Sequence, residues 1–422
     1  MLLEFRVRNY RSIRDEIVIS FAALKDKKLA DTHLAMTGIK TLAHVVRSAV
    51  VYGPNASGKS TLLQALAFMR AVVAESATII QPGQSYNVQP FRLDADYVVQ
   101  PTEFEISFIL NGMRHQYGFS LTPERIIDEW LLVYRAAKPQ QWFSRHFDKK
   151  SQSSTYKYST HLTGPRKLWE ESTRPNALFL STAAQLNSEL LGPIFRWLVE
   201  QSVYFGAGLT PPPDSTTELL QTDIGKRAVR DFLASADISI SDVLSVPRQG
   251  FQQKIMFGPE GTKVTREEQE VLTPQFVHKT ERGSANFELH EESQGTQRLY
   301  ALVAPILDVL KHGRLLIVDE LDSSLHPLLV RWLVRMFHQP ELNLLGAQLL
   351  FTTHDTSLLD RTLFRRDQIW FTEKDRNQAT QVYPLTDFSP RETEAWERGY
   401  LIGRYGAVPF LNESTLPAKA AL

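Results

Sequence analysis

The residues with the clearest chemical meaning lie in one run, V-V-Y-G-P-N-A-S-G-K-S-T, from Val50 to Thr61. Gly53, Gly58, Lys59 and Ser60 fit G-x-x-x-x-G-K-[ST], and Pro54, Asn55, Ala56 and Ser57 fill the variable positions. That spacing lets the backbone fold tightly enough for successive N–H groups to face phosphate oxygens at a helix N-terminus. Lys59 would then meet the β- and γ-phosphates, and Ser60 would offer its hydroxyl to Mg²⁺. The motif needs an apolar strand before it and a helix after it. Ser48–Tyr52 is short and β-branched, and Leu62–Val73 is a helix-forming run. A chance lysine in a Gly-rich turn would bring neither flank.

A second cluster follows much later. Arg314 to Glu320 reads R-L-L-I-V-D-E, an apolar strand delivering two adjacent acids at its C-terminal end, where α/β folds bind their ligands. Asp319 is the candidate Mg²⁺ ligand, and Glu320 the candidate general base for the water that attacks the γ-phosphate. Leu349 to Asp355 (L-L-F-T-T-H-D) is another apolar strand ending in polar groups. A lone histidine is usually structural, but this position favours His354 as a γ-phosphate contact. Ser293 and Gly295 precede a helical run from Arg298 to Leu310, a pattern that by itself is no more than an N-cap.

The elements that must position these groups read as α/β with an antiparallel insertion. Leu2–Val7 and Glu16–Phe21 alternate like paired strands leading into the nucleotide domain, and Lys25–Lys40 reads as loop. From Asn87 to Tyr158 the period is two, with Asn111-Gly112 marking a hairpin turn. Ala177–Gln201 returns to helical spacing interrupted at Gly192-Pro193, and Thr210–Pro213 reads as a stiff linker. Thr217–Ala236 is helical in pattern. Ile238–Phe257 is strand-like with a turn at Pro247–Gly250, and Pro259–Glu270 is a charged loop or hairpin tip. The expected boundaries are 1–86 for the first part of the nucleotide-binding domain, 87–160 for an inserted antiparallel β-subdomain, 161–275 for a helical and mixed insertion, and 276–422 for the rest of that domain.

Composition narrows the class. Hydrophobic residues make up 43% and charged residues 22%, as in ordinary globular chains. Lys plus Arg and Asp plus Glu both number 47, so global charge gives no support to a broad nucleic-acid surface. The absence of cysteine excludes disulfides, thiolate metal sites and cysteine nucleophiles. The opening residues lack a signal-peptide core, and no apolar window is long enough to span a bilayer, so a cytoplasmic location is expected.

In order, the chain has a phosphate loop, a long insertion, a Ser-x-Gly-Thr helix, an Asp-Glu strand, the turn Asp322-Ser323-Ser324-Leu325-His326, and a strand-end histidine. This resembles the ABC-class P-loop ATPase heads of the RecF, SMC and OLD families. The narrower resemblance is to stand-alone bacterial abortive-infection (AbiL/RloA-like) ATPases. It rests on Asn9 to Ile13, Gly53 to Thr61, Glu292 to Thr296, Val318 to Pro327, Thr353 to Asp355 and E-R-G-Y-L-I-G-R-Y-G-A-V-P from Glu397 to Pro409. The resemblance implies ATP and Mg²⁺ as cofactors and head-to-tail homodimers. In these, Ser293 and Gly295 reach the γ-phosphate held by the other subunit's Lys59, and Asp322 belongs to a D-loop at the same interface. It implies a Q-loop glutamine beside the metal, for which Gln89 is the candidate, and a separate nuclease-like or TOPRIM-like effector in anti-phage defence. Ser-Gln-Gly-Thr departs from the common Leu-Ser-Gly-Gly-Gln signature. A RecF-like repair ATPase on duplex DNA and an OLD-like component without its own nuclease domain remain as rivals. The lack of a persistent heptad argues against an SMC-type coiled coil, and Thr356–Leu422 is too short for a second catalytic core.

Overall fold

The computed structural model describes residues 1–135, 138–207, 211–236, 238–258, 261–391 and 394–409, with backbone only for 250–258 and 261–269. It falls into two compact units: Met1–Ala207 with Leu310–Leu321 and Leu333–Leu422, and Gly208–Val309 with Asp322–Trp332.

The first unit holds a six-stranded sheet. Its order is Ser202–Phe205, Leu315–Val318, Gln348–Thr352, Ser48–Tyr52, Ile369–Lys374 and Thr380–Pro384. The first five strands run parallel and the last antiparallel. The three middle strands are apolar-rich and buried throughout, as a parallel sheet covered on both faces demands. Val318 pairs with Phe351, and Thr352 with Val51. The residues after Tyr52, Val318 and Thr352 therefore leave the sheet along one edge.

The second sheet of this unit is antiparallel and seven-stranded. Five of its strands, from Thr102–Leu110 to Ser153–Tyr158, are those expected of the insertion. Leu2–Arg8 and Ile17–Ser20 complete it, because Leu2–Arg8 pairs with Thr102–Leu110. The N-terminal pair thus extends the antiparallel sheet and does not lead into the nucleotide sheet. Leu3, Phe5 and Val7 share a buried cluster with Phe104 and Phe108, which explains the pairing. Asn111 and Gly112 take φ of 51° and 70°, the left-handed pair that a type I′ turn requires. The helix Lys59–Glu75 contributes Leu62, Leu66, Met69 and Val73 to the same core cluster, which also contains Val51 and Ile317 of the parallel sheet.

One buried acid ties a helix to the antiparallel sheet. The Glu129 carboxylate accepts from Tyr117 Oη at 3.0 Å and from the N–H groups of Phe179 and Leu180 at 2.7 and 2.9 Å. Those amides open the helix Phe179–Gln185 and have no partners inside it. Burial raises the Glu129 pKa, while the Arg145 charge and these hydrogen bonds pull it back. Glu129→Ala is expected to cost about 3 kcal/mol in urea unfolding, because three buried donors lose their acceptor. Glu129→Gln keeps one acceptor oxygen and should cost less.

Beneath the first strand of the phosphate loop lies a pair of histidines. The rings of His33 and His338 stack at 3.8 Å, and His338 Nε2 meets Ser48 Oγ at 2.8 Å. Burial lowers His33 to about 4 and His338 well below its usual value, and Arg47 lowers both further. The folded protein therefore holds fewer protons than the unfolded chain below pH 6.5. The contribution of these two histidines to stability is complete above that pH and is lost as pH drops toward 4, about 3 kcal/mol for His33 alone. Urea midpoints between pH 4 and 8 should show this slope, and His33→Gln should flatten it.

The second unit contains the antiparallel strands Asp242–Gly258, Gly261–Thr280 and Gly283–Glu288 in that order. They pack with the helices Asp214–Leu219 and Asp223–Ser235. Several local expectations change. Pro247–Gly250 is not a turn: Asp242–Gly258 is one continuous edge strand, where an exposed proline needs no ladder donor. Of the stretch expected as a charged loop or hairpin tip, 261–270 is an arm of the hairpin that Asp242–Gly258 and Gly261–Thr280 form, while Pro259 and Glu260 lie outside the described residues. Thr217–Ala236 is split between two helices, and Gly192-Pro193 begins a helix, Gly192–Glu200, where proline suits the first turn. Lys25–Lys40 contains a short helix, Ala30–His33, and a strand, Leu34–Ile39, that pairs with Leu42–Val46. Thr210 of the expected linker also lies outside the described residues.

Candidate nucleotide site

The phosphate loop joins the strand Ser48–Tyr52 to the helix Lys59–Glu75. Gly58 has φ of 110°, and a Cβ there would run into Thr380; one on Gly53 would run into Thr372. Both threonines come from the hairpin Ile369–Pro384 and brace the loop from behind. Thr372 Oγ1 lies 2.6 Å from Ser57 Oγ, and Thr380 Oγ1 donates to Ser57 O at 2.9 Å. The Ser57 side chain is thus buried against the hairpin, while Asn55 and Ala56 are exposed at the apex. Lys59 is also buried. Its Nζ donates to Gly53 O at 2.8 Å and Pro54 O at 3.2 Å, so the side chain folds back onto the loop. Ser60 and Thr61 occupy the first helical turn, partly exposed.

A turn at the N-terminus supports that helix. Asn9 is fully buried, accepts from Phe91 N at 2.9 Å and donates to Tyr97 O at 2.8 Å, which fixes the loop that carries Arg11 and Ser12. Arg11 hydrogen-bonds Gln64, and Ser12 Oγ donates to Thr61 Oγ1 at 3.3 Å. The Arg11 amide donates to Gln89 O at 2.7 Å. Gln89 therefore lies next to the turn that packs on the phosphate-loop helix, held there by its backbone.

The two acids leave the strand Leu315–Val318, one strand removed from the loop. Asp319 is fully buried, and its Oδ1 accepts from Thr352 Oγ1 at 2.6 Å. Its Oδ2 is buried without a hydrogen-bond partner. A buried carboxylate oxygen left open in this way suits a divalent cation. Among the described residues no cluster of three or more His, Asp or Glu could hold a metal alone. Mg²⁺ would therefore depend on Asp319, Ser60 and the phosphates, the usual division of its ligands. Glu320 takes φ of 53°, and its N–H donates to Thr352 Oγ1 at 2.7 Å.

His354 is exposed and lines one cavity of ≈ 820 Å³ with Gly53, Pro54, Asn55, Lys374 and Tyr400. The structure thus brings the strand-end histidine to the phosphate loop. Tyr52 Oη donates to Asp355 O at 3.2 Å and steadies the turn after His354. Tyr400 stacks on Phe371 at 5.6 Å, so the C-terminal segment forms part of this wall.

Ser293, Gly295 and Asp322 belong to the second unit. Ser293 Oγ accepts from Thr296 N at 3.1 Å and caps the helix Gln294–His312, while the residue itself is exposed. A Cβ on Gly295 would come within 2.9 Å of Ser324 O, so the helix Gln294–His312 and the Asp322–Leu325 turn approach each other closely. Sequence reasoning missed Thr352, Thr372, Thr380 and Lys374. The signal for Thr352 was a polar residue ending an otherwise apolar run; Thr372 and Lys374 sit in a mixed polar run, and nothing local marks Thr380.

A braced phosphate loop, a parallel sheet and a buried acid at the end of the strand one removed from the loop define a P-loop ATPase domain of mixed α/β architecture. Residues 48–360 match the family described as AAA domain, putative AbiEii toxin, Type IV TA system, and the chain belongs to that family. In fold it is similar to the SMC head domain from Thermotoga maritima. The sequence identity there is 14% and the TM-score 0.40, covering 91% of this chain and 98% of that one. It is also similar to an SmcHead bound to the C-winged helix domain of ScpA, with 12% identity and a TM-score of 0.36 over 91% and 97% of the two chains. No curated protein matches the chain by sequence. Among the described residues no helix is long and apolar enough to cross a membrane.

Proposed function

We propose that this protein is an ATP-hydrolysing switch that pairs head to tail on ATP·Mg²⁺ and controls a separate effector in bacterial anti-phage defence. The observation that carries the enzymatic part is the buried Asp319 carboxylate. One oxygen is fixed by Thr352 and the other is open, with Glu320 next to it in the chain. Lys59 and the loop amides would bind the β- and γ-phosphates, and Ser60 and Asp319 would hold Mg²⁺, which would supply charge screening there. Glu320 takes the proton of the attacking water, and His354 donates a hydrogen bond to the γ-phosphate.

The head-to-tail part is supported by how the residues divide. Lys59, Asp319, Glu320 and His354 belong to one compact unit, while Ser293, Gly295 and Asp322 belong to the other. A γ-phosphate gripped by the first set from one copy and the second set from another favours the dimer, through linkage of binding to assembly. The family description, with its putative AbiEii toxin and Type IV TA system, supports the defence role and a partner.

Complementation tests the arrangement. Lys59→Ala and Ser293→Arg proteins should each be inactive alone, and mixing them should restore phosphate release. Each mixed dimer then has one site with an intact lysine facing an intact serine. An inactive mixture of two folded variants would sink the head-to-tail reading.

A further inference from the structure

Resting on the ATPase reading above, we infer that Thr352 is the positioning residue that sets both acids of the site. It ends the strand between the phosphate-loop strand and the Asp319 strand and is fully buried. A threonine hydroxyl has one proton to give and lone pairs to receive. Here the proton goes to Asp319 Oδ1 at 2.6 Å, and a lone pair receives the Glu320 N–H at 2.7 Å. The Thr352 carbonyl accepts the next amide, Leu321 N, at 3.1 Å. Three consecutive residues are thereby tied to one.

The two side-chain bonds do different work. The first occupies one oxygen of Asp319 and leaves Oδ2 as the open one, so the hydroxyl selects which oxygen faces a cation. The second holds Glu320 in the left-handed region, at φ of 53°, which a residue with a Cβ rarely adopts unsupported. Valine has the same shape without the hydroxyl. It would leave Asp319 Oδ1 and the Glu320 amide without this partner, free the carboxylate to rotate and relax the backbone that aims the base.

The test compares Thr352→Val and Thr352→Ser with the parent full-length protein. Two quantities are read: binding of a fluorescent ATP analogue, without metal and across a Mg²⁺ titration, and steady-state phosphate release. Thr352→Val should bind the analogue like the parent without metal. Its Mg²⁺ midpoint should rise and its kcat should fall by about 10- to 100-fold, the usual effect of removing a partner that orients a metal ligand. KM should change much less. Thr352→Ser should recover both within a few-fold. Should valine prevent folding, as judged by thermal unfolding, Thr352→Ala serves the same arm. A hydroxyl-free variant that matches an active parent in Mg²⁺ midpoint and kcat overturns the role, as does a serine variant as impaired as valine. A parent that binds nucleotide but neither responds to Mg²⁺ nor releases phosphate overturns the ATPase reading itself, and this inference falls with it.

Discussion

Glu320→Gln protein is expected to bind ATP·Mg²⁺ as tightly as the parent, to release phosphate roughly 10²- to 10⁴-fold more slowly, and to persist as a dimer. The amide has the shape of the carboxylate but cannot accept the proton of the attacking water. Nothing in the loop is touched: Lys59 keeps its bonds to Gly53 O and Pro54 O, and Asp319 keeps its bond to Thr352. The Glu320 backbone is held through its N–H, so the substitution leaves the left-handed turn in place. Binding is therefore retained while the step that removes the γ-phosphate is lost. A ligand gripped by two copies at 100 times its dissociation constant stabilises the pair by about 2.7 kcal/mol, and without hydrolysis that contribution lasts. Light scattering with ATP·Mg²⁺ and with ADP, alongside phosphate release, measures both parts. Parent-like turnover would remove Glu320 as base. Slow turnover with an unchanged monomer mass would keep the base and discard the ATP-driven pairing.

The groups legible in sequence were those whose chemistry depends on local spacing. Gly53 to Ser60 is such a case, because a loop that turns within six residues into a helix leaves its pattern in consecutive positions. The Asp319-Glu320 pair and His354 were legible for a related reason, as polar groups at the ends of apolar strands that the sheet then lines up along one edge. What could not be read was anything set by long-range pairing. Thr380 braces Ser57 from more than three hundred residues away, and no local pattern marks a threonine whose role is to fill the space that Gly58 leaves. Leu2–Arg8 shows strand alternation but nothing to say that its partner is Thr102–Leu110. The failure at Pro247–Gly250 has the same origin. Proline and glycine punctuate a chain locally, but an edge strand removes the reason to break there, and edge position is a property of the whole sheet.

Lys59→Ala should weaken ATP·Mg²⁺ binding by roughly 10² or more and abolish measurable turnover, with only a modest change in thermal stability. A charge-assisted hydrogen bond contributes about 1.5–3 kcal/mol, and two to phosphate oxygens account for that factor at about 1.4 kcal/mol per tenfold. The geometry explains why the loss falls on the ligand and not on the fold. The ammonium bonds Gly53 O and Pro54 O, but the loop is also braced without it, by Thr372 against Ser57 Oγ and by Thr380 against Ser57 O. Removing the lysine leaves two carbonyls that water can reach at a partly exposed loop, whereas it leaves phosphate charge with no full cation from the protein within the loop. Lys59→Arg should not rescue it, since a planar guanidinium cannot occupy a pocket that fits a compact ammonium between two carbonyls. Titration of a fluorescent ATP analogue into parent, alanine and arginine proteins, with unfolding monitored in parallel, separates the two effects. Parent-like affinity and turnover in the alanine protein would mean that the triphosphate is held elsewhere, and the assignments of Asp319, Glu320 and His354 to a common site would go with it.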